Sequence, residues 1–193
     1  PPQFQAEDGK RDCLRGLVGS EMCIRDRAES EIEIEAQVTG VDLDNQTVTL
    51  TLYSANTLTV KTDNSTLFED DSSSDTDGDG SFTLSELDTS SDYLEVEAYL
   101  DDLSELVAIK IKREDSPDET SLEGPVDSFA AGLSITLLGI TYNFEEDATF
   151  IVDDDDTFTA TSFFTDLIEG DTVEIKDVEP DGLADEVKRE TDS

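Results

Sequence analysis

Residues 75–86 read DTDGDGSFTLSE, and their types fall in a spacing suited to a divalent cation. Asp75, Asp77 and Asp79 stand at positions 1, 3 and 5 of this stretch and each offers a carboxylate. Ser81 at position 7 offers its backbone carbonyl, Thr83 at position 9 acts directly or through water, and Glu86 at position 12 suits bidentate coordination. Gly80 at position 6 permits the sharp turn such a loop requires, and Phe82 at position 8 is an apolar anchor. Many flexible oxygen donors favour calcium over magnesium, which demands stricter octahedral geometry.

The competing explanation is simple acidity, since the chain has 50 acidic residues against 12 basic ones. Acid richness accounts for the aspartates but not for Gly80, Phe82 and Glu86 in register. Four carboxylates drawn to about 5 Å repel by roughly 3 kcal/mol per pair at an effective dielectric of about 20. A divalent ion relieves that repulsion and orders the loop. The register is that of an EF-hand-type loop, but the flanks differ. The entering segment NSTLFEDDSSS is no amphipathic helix, and the exit is one helical turn around residues 83–87. No second loop of this kind pairs with it. The expectation is a weak structural site of the ~10⁻⁴–10⁻³ M extracellular class, not a sensor. At the matching place in the second half, Asp153 to Asp156 cluster and Asp166 answers Glu86. The turn glycine and alternate spacing are missing there, so a solvated acid run is expected.

A formal charge of −38 repels nucleic acid and anionic membranes, so neither is an expected partner. The chain has no histidine and no tryptophan, and only two cysteines, Cys13 and Cys23. Imidazole catalysis and His-containing zinc sites are excluded. No GxSxG, no P-loop and no apolar run near the ~20 residues of a membrane span is present. The chain reads as a non-enzyme. A carboxylate-based hydrolase is the remaining catalytic reading, and it requires two facing carboxyls ~5–9 Å apart. Phe129, Phe144, Phe150, Phe163 and Phe164 read as core.

Residues 17–27, LVGSEMCIRDR, resemble one reading frame of the transposon-end adapter used in tagmentation sequencing. Residues 1–27 are therefore set aside as a non-native, disordered segment. This removes both cysteines together with five acids and five bases, leaving the charge at −38. A true signal peptide is expected upstream of it.

The elements that must position the acidic loop are strands. From Glu31, Ile32, Ile34, Ala36 and Val38 alternate with Glu33, Glu35 and Gln37, the pattern of a half-buried strand with an acidic outer face. Asp44-Asn45 reads as a turn, followed by strands carrying Val48, Leu50 and Leu52, then Leu58 and Val60. YLEVEAYL buries Leu94, Val96, Ala98 and Leu100. LVAIKIKRE is expected to bury Val107, Ile109 and Ile111, with Lys110 and Lys112 outward. The second half repeats the plan. SLEGPVDSF answers EIEAQVTGV, EDATFIVD answers DNSTLFED, and the FFTDLIEGDTVEIKDVEPDGLADEVKRE stretch answers the last third of the first half. Asp181-Gly182 makes its tight turn. The chain thus divides into a first β repeat (31–114), a linker (115–120) and a second β repeat (121–191). The fold class is all-β: two tandem small OB-like barrels of five or six strands, each with about one helical turn.

EGDTVEI (169–175) and PDGLADEVKRE (180–190) carry a resemblance to a bacterial family of unknown function built from OB-like β-barrel repeats in exported proteins. The first copy departs from that pattern, with SSDYLEV for the Gly-Asp strand and DDLSELVAIKI without the glycine. The resemblance implies a periplasmic, cell-surface or extracellular protein and no catalytic residues. The reading is a non-catalytic exported structural or binding module with one calcium loop and, as partner, an envelope protein or glycan. The alternative is an acidic repeat protein adapted to salt that binds a protein or glycan without specific calcium.

Overall fold

The computed structural model describes residues 32–75, 78–115 and 119–190. The first half contributes β1 (Ile32–Asp42), β2 (Thr47–Tyr53), β3 (Asn56–Lys61), β4 (Leu67–Asp70), β5 (Tyr93–Leu100) and β6 (Leu106–Glu114), with one 3₁₀ turn at Leu84–Glu86 before β5. The second contributes β7 (Thr120–Ala130), β8 (Ser134–Leu137), β9 (Ile140–Val152), β10 (Asp155–Phe158), β11 (Thr172–Asp177) and β12 (Leu183–Arg189), with helix α1 (Ala160–Phe163) before β11.

Each half closes a ring of five strands. In the first, β1, β2 and β3 form an antiparallel meander, β3 meets β6 in parallel at Val60–Lys61, and the β5–β6 hairpin returns to β1. β1 serves both ends of the ring, pairing β5 through Ile32–Gln37 and β2 through Gln37–Asp42. A bulge between Val38 and Gly40 bends it to do so. The second ring runs β7–β8–β9–β12–β11 with a bulge between Val126 and Ser128 and a parallel β9–β12 contact. A third strand meeting the last in parallel, in a five-stranded closed ring, is the connectivity of an OB-type barrel. Closure removes the sheet edges that so strand-rich a chain would otherwise expose.

The period-two pattern decides what lies inside. Ile34, Leu50, Val96 and Ile111 fill the first barrel, and Leu122, Ile135, Tyr142, Phe163 and Ile175 the second, all essentially inaccessible. Phe150 and Phe164 are buried as well, while Phe129 and Phe144 pack half-buried against that core. One strand departs from its expected phase. Leu106, Ala108 and Ile111 face inward, whereas Val107 is half-buried and Ile109 is 45% exposed. The cause is a bulge: Glu97 pairs with Lys110 but Ala98 pairs with Ala108, so Ile109 is the extra residue and the inside–outside phase flips across it.

The barrels are spliced together. Glu33–Glu35 of β1 pair antiparallel with Ser121–Glu123 of β7, making one continuous twelve-stranded sheet of the described strands. The Tyr53 hydroxyl donates to the Thr141 carbonyl across the junction at 2.5 Å. Gly182, at φ +92°, lies so close to Tyr53 that a Cβ there would overlap the ring. Thr120, expected in the linker, instead opens β7 and is buried, while linker residues 116–118 lie outside the described residues. So do residues 1–31, including the adapter-like segment.

Candidate metal centre

The segment joining the strand after β3 to the helical turn differs between the halves. In the first, residues 71–81 lead from Asp70 to Phe82 with no strand among the described residues; in the second, residues 153–162 lead from Val152 to Phe163 and include β10, so the acidic loop takes the place of a hairpin strand in a segment of nearly equal length. Its anchor is Phe82, 5% exposed, which meets Phe68 of β4 edge-on at 5.3 Å and lies under the Arg113 guanidinium at 5.2 Å. The Asp70 amide donates to the Gly80 carbonyl at 3.0 Å, tying the turn to β4.

The loop winds around Asp75. Its Oδ1 accepts from the Gly78 amide at 2.7 Å and its Oδ2 from the Gly80 amide at 3.1 Å. Gly78 and Gly80 both have φ +71°, the left-handed conformation for which glycine carries no steric penalty. Asp79 Oδ1 accepts from the amide and hydroxyl of Ser81, both at 2.9 Å. Glu86 Oε2 accepts from the amide and hydroxyl of Thr83, both at 2.7 Å, and the Glu86 amide donates to the Thr83 carbonyl at 2.9 Å, so Glu86 caps the start of the helical turn. These Thr83 hydrogen bonds hold the Glu86 carboxyl below its ordinary pKa.

The described carboxylates of this loop are not gathered around one point. Among the described residues no three Asp, Glu, Cys or His side chains converge in a metal-holding cluster. Asp77 lies outside the described residues. The carboxylates of Asp75, Asp79 and Glu86 accept from the loop's own N–H and O–H groups, the Ser81 and Thr83 hydroxyls among the donors. A cation would compete for those lone pairs, and a carboxylate oxygen has more than one to offer.

In the second half, Asp153 (φ +51°) and Asp154 (φ +63°) are the two central residues of the β9–β10 hairpin. Positive φ at both is the requirement of a type I′ turn, which aspartate tolerates better than most residues. That turn accounts for part of the acid run without a metal. Lys188 pairs with Asp154 at 3.4 Å.

Sequence reading missed the charge cluster beneath the loop. Arg113, 7% exposed, donates through Nε to Asp70 Oδ2 at 3.0 Å, through a second nitrogen to the same oxygen, and through a third to Asp92 at 3.4 Å. The Arg113 hydrogen bonds are the main reason the Asp70 carboxyl is held below its ordinary pKa. The three residues are scattered along the chain, and no local pattern links them.

Fold and site together define a tandem OB-type barrel protein with an acidic, glycine-turned loop in its first barrel. Residues 35–112 and 123–188 match the Domain of unknown function (DUF5666), most of the chain in two copies, and the chain belongs to that family. No curated protein and no solved structure matches it.

Proposed function

We propose that this chain is a non-catalytic structural or binding module in which one calcium ion at residues 75–86 clamps the first barrel. The observation that carries the reading is the Asp75 carboxylate, already holding the amides of Gly78 and Gly80 while Glu86 is fixed at the loop's far end by Thr83. Both ends of the ligand series are thereby set, and Phe82 couples the loop to the core. Ion binding there stabilises strand β4 and the Arg113 cluster behind it.

No helix among the described residues is long and apolar enough to cross a membrane. A weak site of this type needs the abundant calcium found outside cells, so the reading places the module in the periplasm, at the cell surface or beyond. There it offers an envelope protein or glycan a rigid acidic support. The test is thermal unfolding with calcium, magnesium or a chelator, for the wild type and for Glu86→Gln. Glutamine preserves the capping contact to Thr83 but not the charge. A calcium-specific rise in Tm that Glu86→Gln abolishes supports the reading; identical melting in all three conditions overturns it.

A further inference from the structure

On the outer face of the sheet where the barrels join, glutamates are paired with glutamates. Glu174, Glu123, Glu33 and Glu97 stand on four adjacent strands, each the direct cross-strand neighbour of the next. One step along, Glu35 faces Glu95 in the same way. Like charges directly opposite destabilise a sheet. Lysines offset part of this charge: Lys110 and Lys112 pair with Glu97 and Glu95 at 3.3 and 3.4 Å, Lys188 stands opposite Glu174, and Lys176 pairs with Glu174 at 3.5 Å and lies within electrostatic reach of Glu35 and Glu119.

The strip runs into a cleft. The next pair on β1 and β5 is Gln37 with Tyr93, and these two with Tyr53, Ser91, Glu119 and Thr120 line a hollow of about 350 Å³ between the barrels. That lies at the small end of the ~300–1,000 Å³ typical of small-molecule sites. No lysine or arginine is among the described residues lining it. Both phenol hydroxyls are committed, Tyr53 to the Thr141 carbonyl and Tyr93 to the Glu119 carbonyl, so neither is a free donor to a ligand. Burial first, then Glu35, Glu119 and Glu114, push the Tyr93 phenol well above its ordinary pKa, so it stays neutral. At the cleft wall Thr120 is only 4% exposed, and its hydroxyl oxygen has no hydrogen-bond partner among the described residues. A buried hydroxyl left unpaired is costly and rare.

We propose that this cleft binds an alkylammonium group, delivered along the glutamate strip by a flexible cationic chain. An ammonium carries three donors and no acceptor, which suits the Glu119 carboxylate and, where the wall gives way to the ligand, the buried Thr120 oxygen behind it. Its methylene stem packs on the tyrosine rings, whose faces attract a cation. The strip repels anions and draws a polycation toward the cleft mouth. Two sources share this chemistry: a free polyamine and a lysine-rich segment of a partner protein.

The full chain, kept in excess calcium so that the loop is not the reporter, is titrated calorimetrically with spermidine, tetralysine and a neutral oligosaccharide. The expected result is saturable 1:1 binding of the amines and none of the saccharide. Affinity should fall about fivefold in Thr120→Val, the worth of one hydrogen bond, and about tenfold in Glu119→Gln. Thr120→Val should not lower Tm, because it removes an orphan hydroxyl at nearly constant shape. Tighter binding of tetralysine assigns the source to a protein segment; tighter binding of spermidine assigns it to a polyamine. Amine binding unchanged by either variant marks diffuse counterion attraction and overturns the proposal. Saccharide binding without amine binding overturns it, and so does no heat with any probe, which leaves the Thr120 hydroxyl to a buried water.

Discussion

Arg113 and Arg189 occupy the same place in the two barrels. Each lies on the last strand of its ring and pairs in parallel with a neighbouring strand, Arg113 opposite Asp70 of β4 and Arg189 opposite Val152 of β9. Each lies over a phenylalanine, Phe82 at 5.2 Å and Phe163 at 5.4 Å. Each reaches an aspartate from the strand entry, Asp92 at 3.4 Å and Asp171 at 3.5 Å. The carbonyl of each accepts the amide that begins the following loop, Asp71 or Asp153. The difference is one side chain. Asp70 satisfies the Arg113 Nε, whereas Val152 cannot, and the Arg189 Nε is a buried donor without a partner among the described residues.

Exchanging that side chain should therefore act asymmetrically. Asp70→Val leaves a buried guanidinium short of its partner and should lower stability by about 3–5 kcal/mol. Val152→Asp supplies the missing acceptor to Arg189, and its desolvation cost is offset, so stability should stay within about 1 kcal/mol of wild type. Urea unfolding of both variants tests this; equal losses would contradict the equivalence of the two arginines.

Asp70 also sets an acid limit. Its folded pKa lies below the unfolded value of about 3.9 because Arg113 bonds the charged form. A carboxyl depressed in this direction contributes stability above its unfolded pKa, and loses it as pH falls through the folded one. Stability should drop steeply below about pH 4. In Asp70→Asn that part of the slope should be missing, as measured by urea midpoints from pH 6 to pH 2.

Gly182 should be the least replaceable of the turn glycines. Gly132 at φ +71° has open space around its missing side chain, so Gly132→Ala should cost only the left-handed backbone term, about 1–2 kcal/mol. Gly182→Ala adds collision with the Tyr53 ring to a φ of +92° and should cost more, by about 1–3 kcal/mol further. Calorimetric unfolding of the two variants separates the terms. Because Tyr53 and Gly182 belong to different barrels, the second variant should also reduce the cooperativity of the transition.

The β6 bulge makes a prediction opposite to that of simple alternation. Ile109→Thr, at an exposed site, should change stability by no more than about 0.5 kcal/mol. Ile111→Ala should cost about 2–5 kcal/mol. A large loss at Ile109 would restore the unbroken alternation.

Much of the fold was legible because half-buried strands write their burial into the sequence. Ile32 to Val38 and Val48 to Leu52 point inward as their alternation requires, and the second copy repeats them. Ring closure was not legible, because the parallel pairings of Val60 with Leu106 and of Asn143 with Leu183 join segments with no common local signal. The bulge at Ile109 was hidden because one inserted residue leaves composition unchanged. Of the candidate site, the turn glycine and the Phe82 anchor could be placed from spacing; the Thr83–Glu86 cap could not, because spacing reads both residues as cation ligands. The Asp70–Arg113–Asp92 cluster could not, nor could Thr120, whose hydroxyl looks like linker polarity until β7 pairs with β1.

The measurement closest to the central claim is calcium titration of the intact chain by calorimetry at high sodium, against Glu86→Gln. One site per chain is expected in the wild type, with affinity of the ~10⁻⁴–10⁻³ M class, and none in the variant. At calcium a hundredfold above the dissociation constant, stability should rise by about 2.7 kcal/mol. Equal heats from both proteins, or heats that sodium abolishes, would contradict it and leave DTDGDGSFTLSE a self-bonded acidic turn.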